Sequence, residues 1–264
     1  MTARRTRGFA GSAGSESVVR AFTRGLSVIE AMGHHVDRRT VAQIAKSARL
    51  SRTVARRMIA TLVRLRFADS DGNHYWLTPK VLRLGLAYLH AQPYWRDAQL
   101  ALEDLRGQTG ESCSMAVLDD TEIVYVIRVP SRRILSINLT VGSRLPAHVV
   151  SLGRVLLAGL DEPALDAYLR DMSHERFTPR TVHSAEELRR ALRKAQASGY
   201  AWVDGELDEA ICGIAVPVRD RSGKPVAAIN ISLQRGQWTE TKAASKFLSL
   251  MRQAAARIRS AMLS

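Results

Sequence analysis

The sequence predicts an α+β protein in two parts, a small helical module followed by a larger region that alternates helices and strands. Charge is one observation behind this: residues 1–90 hold 16 Lys and Arg against 5 Asp and Glu, whereas residues 91–264 hold 23 against 20. Pattern is the other. Apolar residues recur at helical spacing almost continuously to Leu89, with one hairpin-like interruption; beyond Gln92-Pro93, period-two stretches separate the helices. With 46% hydrophobic and 24% charged residues over 264 positions, the composition is that of a globular protein with room for two cores.

Met1 to Ser17 is basic, rich in Gly, Ser and Ala, and lacks the apolar stretch of a secretory signal; residues 1–17 read as a disordered basic arm. A first helix follows from about Val18 to Met32, with Phe22, Leu26, Ile29 and Ala21 or Val28 on its buried face and Gly33 as a left-handed stop. Thr40 is placed to cap a short helix, Val41–Ala48, whose Val41, Ile44, Ala45 and Ala48 share one side. After a break at Arg49-Leu50-Ser51, Ser51 caps a third helix from Arg52 to about Arg66. Its expected buried stripe is Val54, Met58, Leu62 and Leu65, with Ile59 at the edge. Phe67–Leu77 then reads as two short strands around an Asp71-Gly72 turn. Thr78-Pro79 opens a helix, Lys80–Leu89, that is apolar on more than one face, as a helix gripped from two sides needs.

Short helix, three-residue break, longer helix and hairpin make the order of a winged helix-turn-helix, here over residues 18–78, with 79–92 as a linker and dimerisation helix. Opposite its buried stripe the third helix carries Arg52, Thr53, Arg56, Arg57 and Arg64. Arginine grips guanine through two hydrogen bonds or clamps a phosphate, so the expected partner of the basic module is double-stranded operator DNA. Ser51, Arg52, Thr53 and Arg56, near the helix N-terminus, are expected at base edges, and Arg57 at phosphates. Thr40 and the hairpin-tip residues Asn73 and His74 complete the set, the tip lying on the adjacent backbone or minor groove. Arg49 stands in the turn where a left-handed backbone favours Gly, at a cost of about 1 kcal/mol.

The second part, 93–264, begins with a helix at about Tyr94–Thr109 and strands Ser114–Leu118 and Glu122–Val129 around Asp119-Asp120. A strand at Leu135–Leu139 and helices at Ser151–Leu160, Glu162–Asp171 and Ala185–Gly199 follow. Strands Ala201–Asp204, Cys212–Arg219 and Pro225–Leu233 precede a closing helix, Glu240–Ala261.

Several chemistries find no support. Cys113 and Cys212 are far apart and form no metal or redox motif, which fits a reducing cytoplasm. No stretch approaches the roughly 20 apolar residues of a membrane span. His34-His35 has no third ligand at metal spacing, and Asp69-Ser-Asp-Gly has Lys80 where a calcium loop needs its closing Glu. No phosphate loop occurs, and no cofactor is expected. The alternative to a DNA-binding regulator is a small-molecule-binding enzyme with an accessory basic domain, using Cys212 or Cys113 with His148 as nucleophile and base; a buried Cys is more often a small hydrophobe, and no catalytic residue is assigned.

Motifs in order along the chain carry a resemblance. They are Arg24-Gly-Leu-Ser-Val-Ile29, Val41-Ala-Gln-Ile-Ala45, Ser51-Arg-Thr-Val-Ala-Arg-Arg57, Leu82-Arg-Leu-Gly85, Val141-Gly-Ser-Arg-Leu-Pro-Ala-His148 and Gly153-Arg-Val-Leu-Leu-Ala158, then Gly199-Tyr200, Ile214-Ala-Val-Pro-Val218 and Ala227-Ala-Ile-Asn-Ile-Ser232. From about Val18 to the last helix the sequence resembles the IclR family of bacterial transcriptional regulators. Its look is closest to the branch that controls the protocatechuate, 4-hydroxybenzoate and β-ketoadipate routes. The resemblance implies a GAF-like C-terminal domain with a curved antiparallel sheet, a small organic acid effector, aromatic in that branch, and a homodimer or dimer of dimers. It also implies pocket positions: Ile134, Ile137, Leu145, Leu152 and Ile211 as walls, Ser151 and the N–H groups of its helix for a carboxylate, and Gly213 for close approach to the backbone. Asn230 and Ser232, alternating along one strand, face the same side, with Asp204 and His148 as further hydrogen-bond partners. Arg49 in place of the family's usual Gly and Leu152 in a stretch of small residues depart from the pattern, and the latter leaves the size of the pocket open.

Overall fold

The computed structural model describes residues 18–33, 38–92, 94–131 and 139–264. The expected arm over 1–17, the His34-His35 pair and most of the strand expected at Leu135–Leu139 lie outside the described residues. The chain divides into two compact units, Met1–Ala91 and Gln92–Ser264.

In the first unit, helices α1 (Arg20–Gly33), α2 (Val41–Ser47) and α3 (Arg52–Arg64) pack on strands β1 (Ala68–Ser70) and β2 (Tyr75–Leu77). A 3-10 turn at Pro79–Val81 leads into α4 (Leu82–His90). Only the C-terminal half of α1 reaches the core, through Val28, Ala31 and Met32; Phe22 and Leu26, expected inside, are 69% and 42% exposed. Gly33 ends α1 without a left-handed backbone. Helix α3 also differs from expectation. Its buried stripe is Ala55, Ile59 and Leu62, one residue round from the expected Val54 and Met58, because small Ala55 permits close approach to the neighbouring helices. Leu65 is half exposed because the helix has ended at Arg64. The hairpin loop takes four residues, 71–74, since Ser70 pairs with Tyr75.

In the second unit, six strands among the described residues form one antiparallel sheet in the order β5-β4-β3-β8-β7-β6: β3 (Ser112–Asp119), β4 (Glu122–Val129), β5 (Arg144–Pro146), β6 (Ala201–Asp204), β7 (Ile211–Arg219) and β8 (Pro225–Gln234). Strand alternation gives the sheet two different faces. Cys113, Met115, Ile127, Ile214, Ile229 and Ile231 form a core with helices α5 (Trp95–Thr109) and α9 (Glu240–Leu263). On the other face, Ala116, Tyr125, Ala215 and Ala228 pack with α6 (Ser151–Leu157), α7 (Glu162–Asp171) and α8 (Ala185–Ser198). Small residues recur under α6, which is buried along its whole length. A β-carbon on Gly153 would lie 2.0 Å from the Ala147 carbonyl oxygen, so α6 sits this close to the preceding turn only because Gly is there.

Candidate nucleic-acid interface and ligand cleft

The α2–α3 pair is fixed by its caps. The Thr40 hydroxyl accepts from the Gln43 N–H while the Gln43 carboxamide accepts from the Thr40 N–H, a reciprocal capping box. Ser51 Oγ accepts from the Val54 N–H at 3.3 Å. Between them Arg49 takes the left-handed backbone, φ 55°. With Ala55, Ile59 and Leu62 inward, Ser51, Arg52, Thr53, Arg56 and Arg57 are all exposed on the outer side of α3. A second left-handed residue, Arg66 (φ 61°), turns the chain into the wing; Thr78 Oγ1 donates to the Arg66 carbonyl at 2.6 Å and Lys80 Nζ to the Leu65 carbonyl at 2.7 Å.

Asn73 and His74 lie in the wing loop, where their backbone N–H groups donate to Asp71 Oδ1. The His74 and Asn73 hydrogen bonds hold the Asp71 carboxyl below its ordinary range. Sequence reading missed Arg38. Its guanidinium stacks 4.0 Å from the centre of the Trp76 ring and pairs with Asp71 at 3.5 Å, while Arg39 exchanges backbone hydrogen bonds with Tyr75 and so adds a third strand-like edge to the wing. One Arg among many in a basic module, 33 residues in sequence from its partner Asp71, gives no signal of its own.

In the second unit, a small cleft, partly open to solvent, lies on the sheet face that carries α6. Six expected pocket residues border it: Leu145, Ser151, Ile211, Gly213, Asn230 and Ser232. Register explains their convergence, since Gly213 on β7 pairs with Ser232 and Ala215 with Asn230 on β8. A β-carbon on Gly213 would sit 3.1 Å from Ser151 Oγ, so Gly keeps the first turn of α6 close to the sheet. Asn230 Nδ2 donates to Ser232 Oγ at 3.2 Å, and Asn230 Oδ1, though buried, has no partner among the described residues.

Three expected members stand elsewhere, and two lie outside the described residues, Ile134 and Ile137. Leu152 is fully buried in the core between α6 and its neighbours, so it does not narrow the cleft. Asp204 alternates away from Val203 and bonds Arg235 at 2.8 Å and Arg180 at 3.4 Å. His148 is buried beside Tyr168, whose hydroxyl is 3.3 Å from Nδ1; burial first, then the nearby Arg154 and His174, push its pKa down to about 4.

The structure adds cleft residues that sequence reading did not name. Arg128 and Tyr125 come from β4, and Glu206, Leu207 and Asp208 from the loop after β6. Tyr125 is pushed up to about 12 by burial, so its phenol stays neutral. Glu206 is matched by Arg154 of α6, which also donates to the His148 carbonyl at 2.9 Å. Arg128 was invisible because an Arg near a strand end reads as a solvated side chain.

Neither cysteine is arranged as a nucleophile. Cys212 Sγ faces the α5–α9 core and donates to the Leu233 carbonyl, and burial pushes both Cys113 and Cys212 up to about 12. Among the described residues no group of His, Cys, Asp and Glu could hold a metal ion, and no helix is long and apolar enough to cross a membrane.

Comparison with known proteins agrees with both halves. The chain matches the model of the IclR helix-turn-helix domain over residues 21–72 and that of the bacterial transcriptional regulator IclR C-terminal region over residues 86–260. It is 38% identical to the Pca regulon regulatory protein of Pseudomonas putida, over 90% of this chain and 82% of that protein. It is 32% identical to the p-hydroxybenzoate hydroxylase transcriptional activator of Acinetobacter baylyi, over 93% and 92% of the two chains. Among solved structures, a transcriptional regulator from Rhodococcus sp. RHA1 superposes with a TM-score of 0.82 at 39% identity, covering 93% of this chain and 99% of that one. An IclR homologue from Microbacterium hydrocarbonoxydans in complex with 4-hydroxybenzoate superposes with a TM-score of 0.80 at 25% identity, covering 92% and 99%.

Proposed function

The chain belongs to the IclR family of bacterial transcriptional regulators, and on that basis we propose that it controls genes of aromatic acid catabolism by binding an aromatic carboxylic acid in the second unit's cleft. The observation that carries this is the cleft itself: apolar walls from Leu145, Val149 and Ile211, with Arg128, Ser151 and Asn230 as the few polar groups that orient a small acid. The relatives named for the Pca regulon and for p-hydroxybenzoate hydroxylase, and the homologue holding 4-hydroxybenzoate, support the ligand class.

The basic first unit reads operator DNA through the outer side of α3, with Arg52 and Arg56 at base edges, Arg57 at phosphate, and the wing alongside. Ligand alters DNA affinity by favouring one arrangement of the assembled protein over another. The assembly is a homodimer or a dimer of dimers. Exposed apolar side chains on α1 (Phe22, Leu26) and α4 (Leu82, Leu84, Leu86, Tyr88) support self-association, since a monomer in water has no use for them. The compartment is the cytoplasm, to which two free thiols are suited.

A thermal-shift screen of aromatic acids, followed by gel shifts on the gene's own upstream DNA with and without the best ligand, tests the reading. The expected result is a raised melting temperature and a ligand-dependent change in operator affinity. Retardation that ignores DNA sequence, or a melting temperature that no aromatic acid moves, overturns it.

A further inference from the structure

The C-terminal end of α3 is held from outside the helix. Leu65 caps it and Arg66 takes the left-handed backbone, so the N–H groups of Leu65, Arg66 and Phe67 turn back to the Thr61, Val63 and Leu62 carbonyls. The carbonyls of Leu65, Arg66 and Phe67 in turn all accept from one short segment. Lys80 Nζ donates to the Leu65 carbonyl at 2.7 Å, Thr78 Oγ1 to the Arg66 carbonyl at 2.6 Å, and the Thr78 N–H to the Phe67 carbonyl at 3.0 Å. Lys80 is half-buried, and its ammonium also lies 4.8 Å from the centre of the Phe67 ring. A cation bonded to a carbonyl at the negative end of a helix makes a charge-assisted cap. Thr78 follows β2 directly and Lys80 lies in the 3-10 turn that leads into α4, so the wing and the linker are bonded to the same end of α3.

Resting on the reading of α3 as the helix that meets operator bases, we infer that Lys80 is a positioning residue for sequence recognition, which with Thr78 sets the angle between α3 and the wing while touching no DNA itself. The inner contacts of α3, through Ala55, Ile59 and Leu62, are apolar and non-directional; they hold the helix close without fixing its tilt. Directional bonds to the rest of the unit sit at its two ends. The Leu50 N–H donates to the Ala45 carbonyl of α2 at 2.9 Å ahead of the first turn, and Lys80 and Thr78 act beyond the last. A tilt of about 5° displaces one end of a 13-residue helix by about 1.5 Å relative to the other. Base-edge contacts from Arg52 and Arg56 tolerate roughly 0.5 Å, whereas contacts to phosphate through long side chains carry no sequence information and adapt. Loss of the Lys80 bond therefore falls on discrimination between sequences and spares general attraction to DNA.

Fluorescence anisotropy of the full chain on a duplex of the gene's own upstream DNA, and on a shuffled duplex of the same length, tests this over a range of salt. Lys80→Met is expected to weaken binding to the upstream duplex on the order of tenfold, with affinity for the shuffled duplex and the salt slope unchanged. Lys80→Arg, which keeps a cationic donor, recovers most of the loss. Thr78→Val, which changes no charge, gives a smaller loss of the same kind. A lysine at phosphate behaves otherwise: binding to both duplexes falls alike and the salt slope drops by about 1. That pattern, wild-type binding by a folded Lys80→Met, or failure of Lys80→Arg to recover overturns the inference and leaves α3 as the reading helix. If circular dichroism shows Lys80→Met unfolded, Thr78→Val decides: a loss confined to the upstream duplex supports the inference, and wild-type binding overturns it. Equal binding of both duplexes by the wild type overturns the inference and the reading of α3 together.

Discussion

Arg154 Nη2 lies 2.5 Å from Glu206 Oε2, joining residues 52 apart in sequence, and both side chains are more than nine-tenths buried. Burial works against both charges, pushing Glu206 up and Arg154 down, while each partner opposes the other's shift. The pair is held in turn: Glu206 Oε2 also accepts from the Val182 N–H at 3.1 Å, and Thr181 Oγ1 donates to the Glu206 carbonyl at 2.7 Å. Glu206 is therefore the point at which α6, the 178–182 turn and the cleft wall are tied together.

Arg154→Met should cost about 3–5 kcal/mol, because it leaves a buried carboxylate without its counter-charge. Adding Glu206→Gln should recover part of that loss. Denaturant unfolding of the single and double variants completes the cycle. Strictly additive losses would show that the two side chains do not act as a pair.

His148 makes stability depend on pH. Its folded pKa of about 4 lies below the unfolded value of about 6.5, so between these values the unfolded chain binds the extra proton. The contribution of the neutral ring is complete above pH 6.5 and is lost as pH falls toward 4, by roughly 3 kcal/mol in total. His148→Gln should flatten the stability profile across that window, read from urea midpoints at pH 4 to 7. An equally steep profile would assign the loss to other groups.

On α3, Arg52→Ala and Arg56→Ala should each weaken specific operator binding by roughly 1–3 kcal/mol, measured by fluorescence anisotropy at fixed salt. If both variants bound like the wild type, DNA would have to meet a different side of this helix.

Much of this architecture was legible from periodicity and caps. Thr40 and Ser51 marked the starts of α2 and α3, and alternation marked the long strands. The rotation of α3 was not legible, because Val54-Ala55 and Met58-Ile59 are adjacent apolar pairs that supply two stripes of similar hydrophobicity. The choice between them depends on how closely a neighbour packs on Ala55. In α6, every residue from Ser151 to Leu157 is buried, so hydrophobicity cannot show that Ser151 borders the cleft while Leu152 enters the core. His148 and Asp204 went astray for a different reason: their partners, Tyr168 and Arg235, lie 20 and 31 residues away and leave no local trace.

Arg49→Gly should raise stability by up to about 1 kcal/mol. The left-handed backbone at φ 55° strains a residue with a β-carbon, and the greater unfolded-state freedom of Gly offsets only part of the gain. A lower melting temperature would mean that the exposed Arg49 side chain stabilises the turn by more than its backbone costs.

Gly153→Ala should be among the most damaging single changes, costing several kcal/mol, because its new methyl group would meet backbone and no flexible side chain can yield. Proteolysis and circular dichroism would report it. A fully folded variant would show that the Ala147–Val149 turn can move away from α6.

The sheet of the second unit is one strand thick, and this leaves nothing between the ligand and the opposite core to absorb a displacement. Ser114 faces the cleft and its neighbours Cys113 and Met115 face α5, so a guest that moves β3 by a fraction of an ångström moves the packing surface of α5 by the same amount. Helix α5 is the first element of its unit, and the chain runs back from it through a few residues to α4 and the DNA-reading half. Relay from sensor to reader thus needs no long chain of intermediaries: one strand and one helix separate an occupied cleft from the covalent connection.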